Sequence, residues 1–366
     1  MSIINGTIQT ASRQWAMRPD DERFISLDEM QTKLDHLRTY SAARSISSRS
    51  LQVRPVEGDH HGLVITGPNG APVAPTHWAF EQLAQRAGTP AAYIRTLPSP
   101  LAADCLNHGL QSRSVEDMGV LLYKNGGPAE LRAVTGPNYG RVWNADIVRA
   151  LRGRFGDGIS GDFRVPGEFG KAVEVTRANT TLYASDRDMF VFLADETHRV
   201  DVPDRRNGKA GTMARGFFVW NSETGSTTLG IATFLFDFVC CNRIIWGADK
   251  YSEIRVRHSS GAPDRWIKEV APAIERYAND STQSIARAIA DARAARIDDV
   301  SQFLASRFTQ SQARAIDAAH VQDEDRPIET LWDAVTGITA YARSITYQDS
   351  RVAIERKAGK ILKLAA

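Results

Sequence analysis

The sequence predicts an α+β protein, with a mixed or antiparallel central sheet, flanking helices and a helical C-terminal region. Three observations carry that class. Between residues 119 and 262 the segments VLLY, ELRAV and MFVFLAD have the β-branched and aromatic content of strands. After Pro263 the apolar residues switch to helical spacing, with Trp266, Val270, Ile274 and Tyr277 on one stripe. Before both, short apolar runs in residues 51–76 alternate with EGDHHG and TGPNGAP, the chemistry of strands joined by turns.

Residues 1–50 are polar and rich in Arg and Ser, and read as a loosely attached N-terminal arm. They hold one amphipathic helix, where Leu27, Met30, Leu34 and Leu37 recur after Ser26 as the cap. Residues 51–118 form an N-terminal α+β segment: strands to residue 76, a helix from Trp78 to Ala87 stopped by Gly88, and short helices from Pro90 to Leu110 broken by Pro98 and Pro100.

Residues 119–262 form the strand-rich core, interrupted by a helix around Ala145 to Phe155. KAVEVTR (171–177) is expected as a strand, and the polar stretch 200–215 as an exposed loop. In 216–247 two apolar runs flank SETGS, which predicts a hairpin. Periodicity leaves residues 230–246 open between strand and helix. In YSEIRVRHS, Glu253, Arg255 and Arg257 share one strand face, and Ile254, Val256 and His258 the other. Residues 263–366 form the helical region. There Thr309 and Gln312 spell a capping box, and Pro327 opens a helix carrying Leu331, Trp332, Val335 and Ile338.

Composition narrows the function classes. The chain is 42% hydrophobic and 24% charged, enough for a sizeable core, and its formal charge of +2 requires any nucleic-acid contact to come from a local patch. Of the three cysteines, Cys105, Cys240 and Cys241, two are adjacent, so neither a disulfide framework nor a C-x-x-C site can be drawn. A reducing cytoplasm is the expected compartment. The opening residues lack a signal-peptide pattern, and the most apolar stretch, 229–239, is too short to span a bilayer, so no membrane association is expected.

Most searches for chemistry end empty. No phosphate-cradling glycine motif occurs, and no G-x-S-x-G. Asp59, His60 and His61 with His77, and separately Asp195, Glu196 and His198, lack metal-ligand spacing and read as exposed turns. Cys240 and Cys241 sit in an apolar run and read as packing; a nucleophile there would need a base such as His258. Glu223, Asp237 and Glu253 would approach one another across the hairpin, and clustered carboxylates can hold a divalent ion.

The opposite charge gives the stronger pattern. Tyr139, Arg141, Trp143, Trp220, Asn221, Asn242, Arg243, Trp246, Arg255 and Arg257 interleave rings, amides and guanidiniums, as stacking platforms beside a basic groove require. The expected nucleic-acid site is Tyr139, Arg141, Trp220, Asn221, Asn242, Arg243, Arg255 and Arg257. In it Arg243, Arg255 and Arg257 meet phosphates while Trp220 or Tyr139 stacks on bases. No cofactor and no metal are expected. Against this stands the ordinary fate of a strand Trp, which is to fill a core.

The wording of three segments, VWNSETGSTTLGIATFLFDFVCCNRIIWG, ETLWDAVTGITAYARSITYQDSRVAIERKAGKIL and THWAFEQLAQRAGTPAAYIRTLP, resembles the phage/plasmid-like proteins grouped as domain of unknown function 932. The likeness covers most of residues 50–364. It implies a gene carried by phages, plasmids or integrated elements, and no established reaction. Among the positions it selects are Trp220, Asn221, Ser222, Glu223, Gly225, Asn242, Arg243, Trp332 and Gly337. The functional expectation is a non-enzymatic nucleic-acid-binding protein of a mobile element, for single-stranded DNA in replication, recombination or DNA protection. The alternatives are a metal-dependent hydrolase or nuclease, and a host-protein-binding or counter-defence factor. A homo-oligomer, ring or filament, would suit an annealing role.

Overall fold

The computed structural model describes residues 19–68, 70–165, 174–195, 197–205, 209–237, 243–244, 253–345 and 348–365. The fold is α+β. Among the described residues the strands form two sheets, one of six strands and one of nine.

From Pro19 onward the expected loose arm is instead built into both sheets, and its residues 1–18 lie outside the described residues. β1 (Arg23–Phe24) pairs with the nine-stranded sheet. α1 (Leu27–Thr39) starts where Ser26 Oγ accepts the Glu29 N–H at 3.1 Å, and it buries Leu27, Met30 and Leu34. β2 (Ser41–Ser47) is then an edge strand of the six-stranded sheet. Most polar residues of α1 lie on its outer face. Several reach across to α5 (Asn144–Phe155): Arg149 meets Asp35 at 2.5 Å, Arg152 meets Asp28, and Arg38 meets Asp146.

The six-stranded sheet continues with β3 (Gln52–Pro55), β4 (Leu63–Thr66), β5 (Pro72–Pro75), β6 (Asp117–Tyr123) and β7 (Ala129–Thr135), in the order β2-β6-β7-β5-β4-β3. Only the β5–β7 pair is parallel. A boundary between residues 118 and 119 therefore falls inside β6. On one face lie α2 (His77–Ala87), α3 (Ala91–Ile94) and α4 (Ser99–Ser112), which bury Phe80, Leu83, Ile94 and Leu106 against Ile65, Val120 and Val134.

The larger sheet holds β8 (Phe163–Arg164), β9 (Leu182–Ala184), β10 (Met189–Asp195), β11 (Val200–Arg205), β12 (Lys209–Asn221), β13 (Leu229–Asp237), β14 (Arg243–Ile244) and β15 (Glu253–Val256). Its spine runs β1-β9-β10-β12-β13-β14. Two expectations are corrected here. The stretch 200–215 is no exposed loop: it supplies β11 and the start of β12, with Val202 and Met213 fully buried. Of the expected strand KAVEVTR, residues 171–173 lie outside the described residues and 174–177 form irregular chain and turn. The open stretch 230–246 is strand through Asp237 and again at Arg243–Ile244.

β12 ties two cores together because alternate residues of a long strand share one face. Phe217 and Val219 pack with Leu151, Phe155 and Phe163; Met213, farther along the same face, packs with Val335 and Ile338 of the C-terminal helices. Between them Arg215 ties Asp195 (3.0 Å) to the carbonyls of Tyr277 (3.1 Å) and Ala278 (2.9 Å).

From Ala262 the chain is helical. α6 (Ala262–Arg265) passes through a π-turn (Trp266–Val270) into α7 (Ala271–Asn279). Pro272 lacks an N–H and crowds the preceding turn, which accounts for the wider winding before it. α8 (Gln283–Ala294), α9 (Val300–Ala305), α10 (Gln310–Glu324), α11 (Leu331–Arg343) and α12 (Gln348–Leu362) form the C-terminal region. Thr309 and Gln312 make the predicted capping box, while the helix expected from Pro327 starts at Leu331 behind its own Thr330–Asp333 box. Every residue of α11 from Leu331 to Ala340 is buried. Gly337 lets α10 approach, since a Cβ there would stand 2.9 Å from His320 Cβ. Among the described residues no helix is long and apolar enough to cross a membrane.

Candidate functional site

The turn between β12 and β13 plugs into the six-stranded sheet, and its polar residues form a buried hub around Glu223. The partner on the other side is Arg132. Leu121 pairs with Ala133 and Leu122 with Leu131, so Arg132 is the extra residue of a β-bulge, a device that re-aims a side chain. Its Nη1 lies 3.3 Å from Glu223 Oε2 and 3.2 Å from Ser41 Oγ, with both charged groups about 95% buried. The other carboxylate oxygen, Oε1, accepts the Asn144 N–H at 2.9 Å. α5 has no side-chain cap of its own, so Glu223 supplies from a distance the acceptor its N-terminus lacks and adds its negative charge to that of Asp146 in the first turn.

The turn backbone is gripped as closely. Trp78 Nε1 (3.0 Å) and Gln82 Nε2 (2.8 Å) both donate to the Thr224 carbonyl, Tyr139 OH donates to that of Ser222 (2.8 Å), and Arg141 Nη1 donates to that of Glu223. Asn221 Nδ2 bonds the Val142 carbonyl (2.8 Å) and Asn144 Oδ1 (2.7 Å). Ser222 Oγ donates to the Arg187 carbonyl at 2.5 Å and accepts the N–H groups of Thr224 and Ser226.

Around this plug lies a rim of half-buried rings, each faced by a guanidinium within cation–π range. Arg187, itself exposed, lies 4.6 Å from the Trp78 ring. Arg141 is 5.3 Å from Tyr139 and 5.9 Å from Trp143, and Arg38 is 5.5 Å from Trp143. His258 stacks on Tyr139 with centroids 4.8 Å apart. Burial pushes the His258 imidazole down to about 4, so at neutral pH the ring is uncharged. Its Nδ1 is 3.0 Å from the Gly140 carbonyl, which can only accept, so Nδ1 carries the proton and Nε2 is left as an acceptor. Burial likewise lowers the Arg141 guanidinium and raises the Tyr139 phenol. Among the described residues, buried His258 Nε2, Arg141 Nε and Asn221 Oδ1 have no hydrogen-bond partner.

The expected site residues divide. Tyr139 and Arg141 stand together on the rim. Trp220 and Asn221 do not face water: both are fully buried, and the Trp220 ring fills the space over Gly230, its cross-strand partner, where a Cβ would come within 2.1 Å of the ring. Trp220 is thus core and no stacking platform. Gly230 also pairs with Arg255, and across that bare backbone the Arg255 guanidinium lies 5.6 Å from the Trp220 ring. Arg257 is exposed, and Val256 and His258 are buried, as the predicted alternation has these three residues. Asn242, Trp246, Cys240 and Cys241 lie outside the described residues, and Arg243 is described only as β14 backbone pairing with Phe236.

The carboxylate triplet does not assemble. Glu223 is held in the hub, whereas Asp237 ends β13, eight residues beyond Leu229 and about 27 Å along the strand at ~3.4 Å per residue. Asp195 also departs from expectation: it is no exposed turn residue but fully buried against Arg215. Among the described residues no three His, Cys, Asp or Glu side chains come together as a metal site. Sequence reasoning missed Arg132, Arg187, Trp78 and Gln82. The last two lie in THWAFEQ, one of the segments with family-like wording; nothing in ELRAV reveals the bulge.

Fold and site define an α+β protein whose second sheet carries a polar turn that locks into the first. The family model described as Domain of unknown function (DUF932) matches residues 172–357, slightly more than half of the chain, and the protein belongs to that family. No curated protein matches, and no solved structure does. Glu223 and its turn lie inside the matched region, whereas Trp78, Gln82, Arg132, Tyr139 and Arg141 precede it.

Proposed function

We propose that this is a phage- or plasmid-encoded, non-enzymatic nucleic-acid-binding protein of the cytoplasm, which takes single-stranded DNA across the rim around the Glu223 turn. The observation that supports this is the set of half-buried rings, Trp78, Tyr139 and Trp143, each faced by a guanidinium. Guanidinium planes and aromatic faces accept any base, and phosphates follow the charges. Arg187 is exposed beside the Trp78 ring, and Arg257 is exposed next in the chain to His258, on the opposite strand face; neither makes an ion pair among the described residues. They are the phosphate contacts of this reading; Arg255, over Trp220, is a third.

The test is fluorescence anisotropy of a labelled oligo-dT, with a duplex for comparison, at several salt concentrations. The wild-type protein binds more weakly as salt rises, and Arg187→Glu with Arg257→Glu lowers affinity at least tenfold. The salt slope falls by roughly 1.4, at about 0.7 for each single-strand phosphate no longer neutralised. Failure to bind at low salt, affinity that ignores salt, or a double variant that binds like the wild type would each overturn the reading.

A further inference from the structure

The six-stranded sheet treats its two edges differently. At the β3 edge, Asn107 of α4 does what a neighbouring strand would do. Its Oδ1 accepts the Val53 N–H at 2.8 Å, and its Nδ2 donates to the Val53 carbonyl at 2.8 Å. Pro55 then ends the strand with no N–H to offer.

Among the described residues the β2 edge has no such cover. Ser48 N bonds Glu116 O and Lys124 N bonds Tyr40 O, both at 2.9 Å, in the same register as the β2–β6 ladder. Hydrogen-bonded pairs alternate in an antiparallel ladder, so the even-numbered residues from 40 to 48 face β6. The backbone groups of Ser41, Ala43, Ser45 and Ser47 therefore point away from the sheet. Ala43, Arg44 and Ser45 are exposed, and among the described residues nothing bonds to the backbone N–H or carbonyl of Ala43 or Ser45. Their side chains are short, so another strand can approach to the usual ~4.8 Å.

We propose that the β2 edge is a strand-addition site for an extended segment of another protein that places an acidic side chain opposite Arg44. Charge selects that occupant. Arg44 is the only charged residue of Ser41–Ser47 and stands at its midpoint. A second copy pairing antiparallel along the whole strand would set Arg44 directly against its own counterpart, and like charges across a strand pair repel. A carboxylate in that place gains an ion pair along with the backbone bonds. The site shares no residue with the proposed nucleic-acid rim.

The probes are two dye-labelled, blocked heptapeptides of alternating Thr and Val, one with Glu at its centre and one with Lys, titrated against the full chain. The Glu peptide binds at least tenfold more tightly than the Lys peptide, and Arg44→Glu reverses that order. Ser45→Pro removes an outward N–H without touching the β6 ladder, and weakens the Glu peptide about tenfold while leaving the thermal midpoint within a few degrees. The charge-swap variant keeps the test valid should the proline variant misfold. Binding of neither peptide, equal binding of both, or sedimentation of the wild type as a dimer that Ser45→Pro dissociates would each overturn the proposal; the last would assign the edge to a second copy.

Discussion

Two buried arginine–carboxylate pairs stand at the two seams of this molecule, and they differ in how completely they are satisfied. Where the large sheet meets the C-terminal helices, Arg215 spends its donors on Asp195 and on the carbonyls of Tyr277, Ala278 and Asp280. Asp195 in turn accepts the N–H groups of Thr197 and His198. Where the large sheet meets the N-terminal one, Glu223 and Arg132 are paired as deeply, yet their neighbours Arg141, Asn221 and His258 keep unmatched buried atoms beside half-buried rings. Buried polar groups left unmatched are uncommon and mark places where something beyond packing is at stake. The first seam is structural glue; the second holds a lock and, around it, the surface with chemistry to offer.

The largest expected effect breaks the satisfied seam. Arg215→Met leaves Asp195 buried without its cation, at a cost of about 3–5 kcal/mol in urea unfolding, and adding Asp195→Asn restores part of it. A loss below about 1 kcal/mol would mean that the seam is not held by this pair. Next comes pH. His258 is held at about 4 in the folded chain against about 6.5 when unfolded, so the unfolded state binds more protons between those values. Its contribution is fully present above pH 6.5 and is lost as pH falls toward 4. The loss is roughly 3 kcal/mol, at about 1.4 kcal/mol per unit. Burial lowers His320 in the same direction, so the informative quantity is the difference between wild type and His258→Phe, which keeps the stack on Tyr139 and flattens the acid limb. If the two acid limbs coincide, the burial of His258 is not felt.

The smallest effect sharpens the contrast. Glu223→Gln removes the charge facing Arg132 but keeps an acceptor for Asn144 N–H and an oxygen toward Arg132, which also bonds Ser41 Oγ and the Asp186 carbonyl, so it costs only about 1–2 kcal/mol in the same unfolding experiment. Because Glu223 lies beneath the rim, single-strand affinity is expected, on the proposed reading, to stay within about twofold. A larger drop in affinity would make lock and surface one unit.

Much of the fold was legible in the chain. The Ser26 cap, the Thr309–Gln312 box, the stop at Gly88 and the hairpin about SETGS depend on contacts within a few residues, and the structure shows each of them. The site was legible only in pieces. Tyr139 and Arg141 were found because rings and guanidiniums alternate there, but Trp220 carries the same signal from inside the core. Whether an aromatic residue on a strand meets water depends on what is laid over it, which residues far along the chain decide.

The sequence by itself settled the α+β class, most of the helices and hairpins, and membership of a family whose wording includes the Glu223 turn. Periodicity, capping and turn chemistry act locally and need no knowledge of the partner. Only the tertiary structure decided that residues 19–50 join both sheets, that Arg132 bulges toward Glu223 and that, among the described residues, the β2 edge stays open. Each of those is set by register and burial, where a shift of one residue along a strand sends a side chain to the other face.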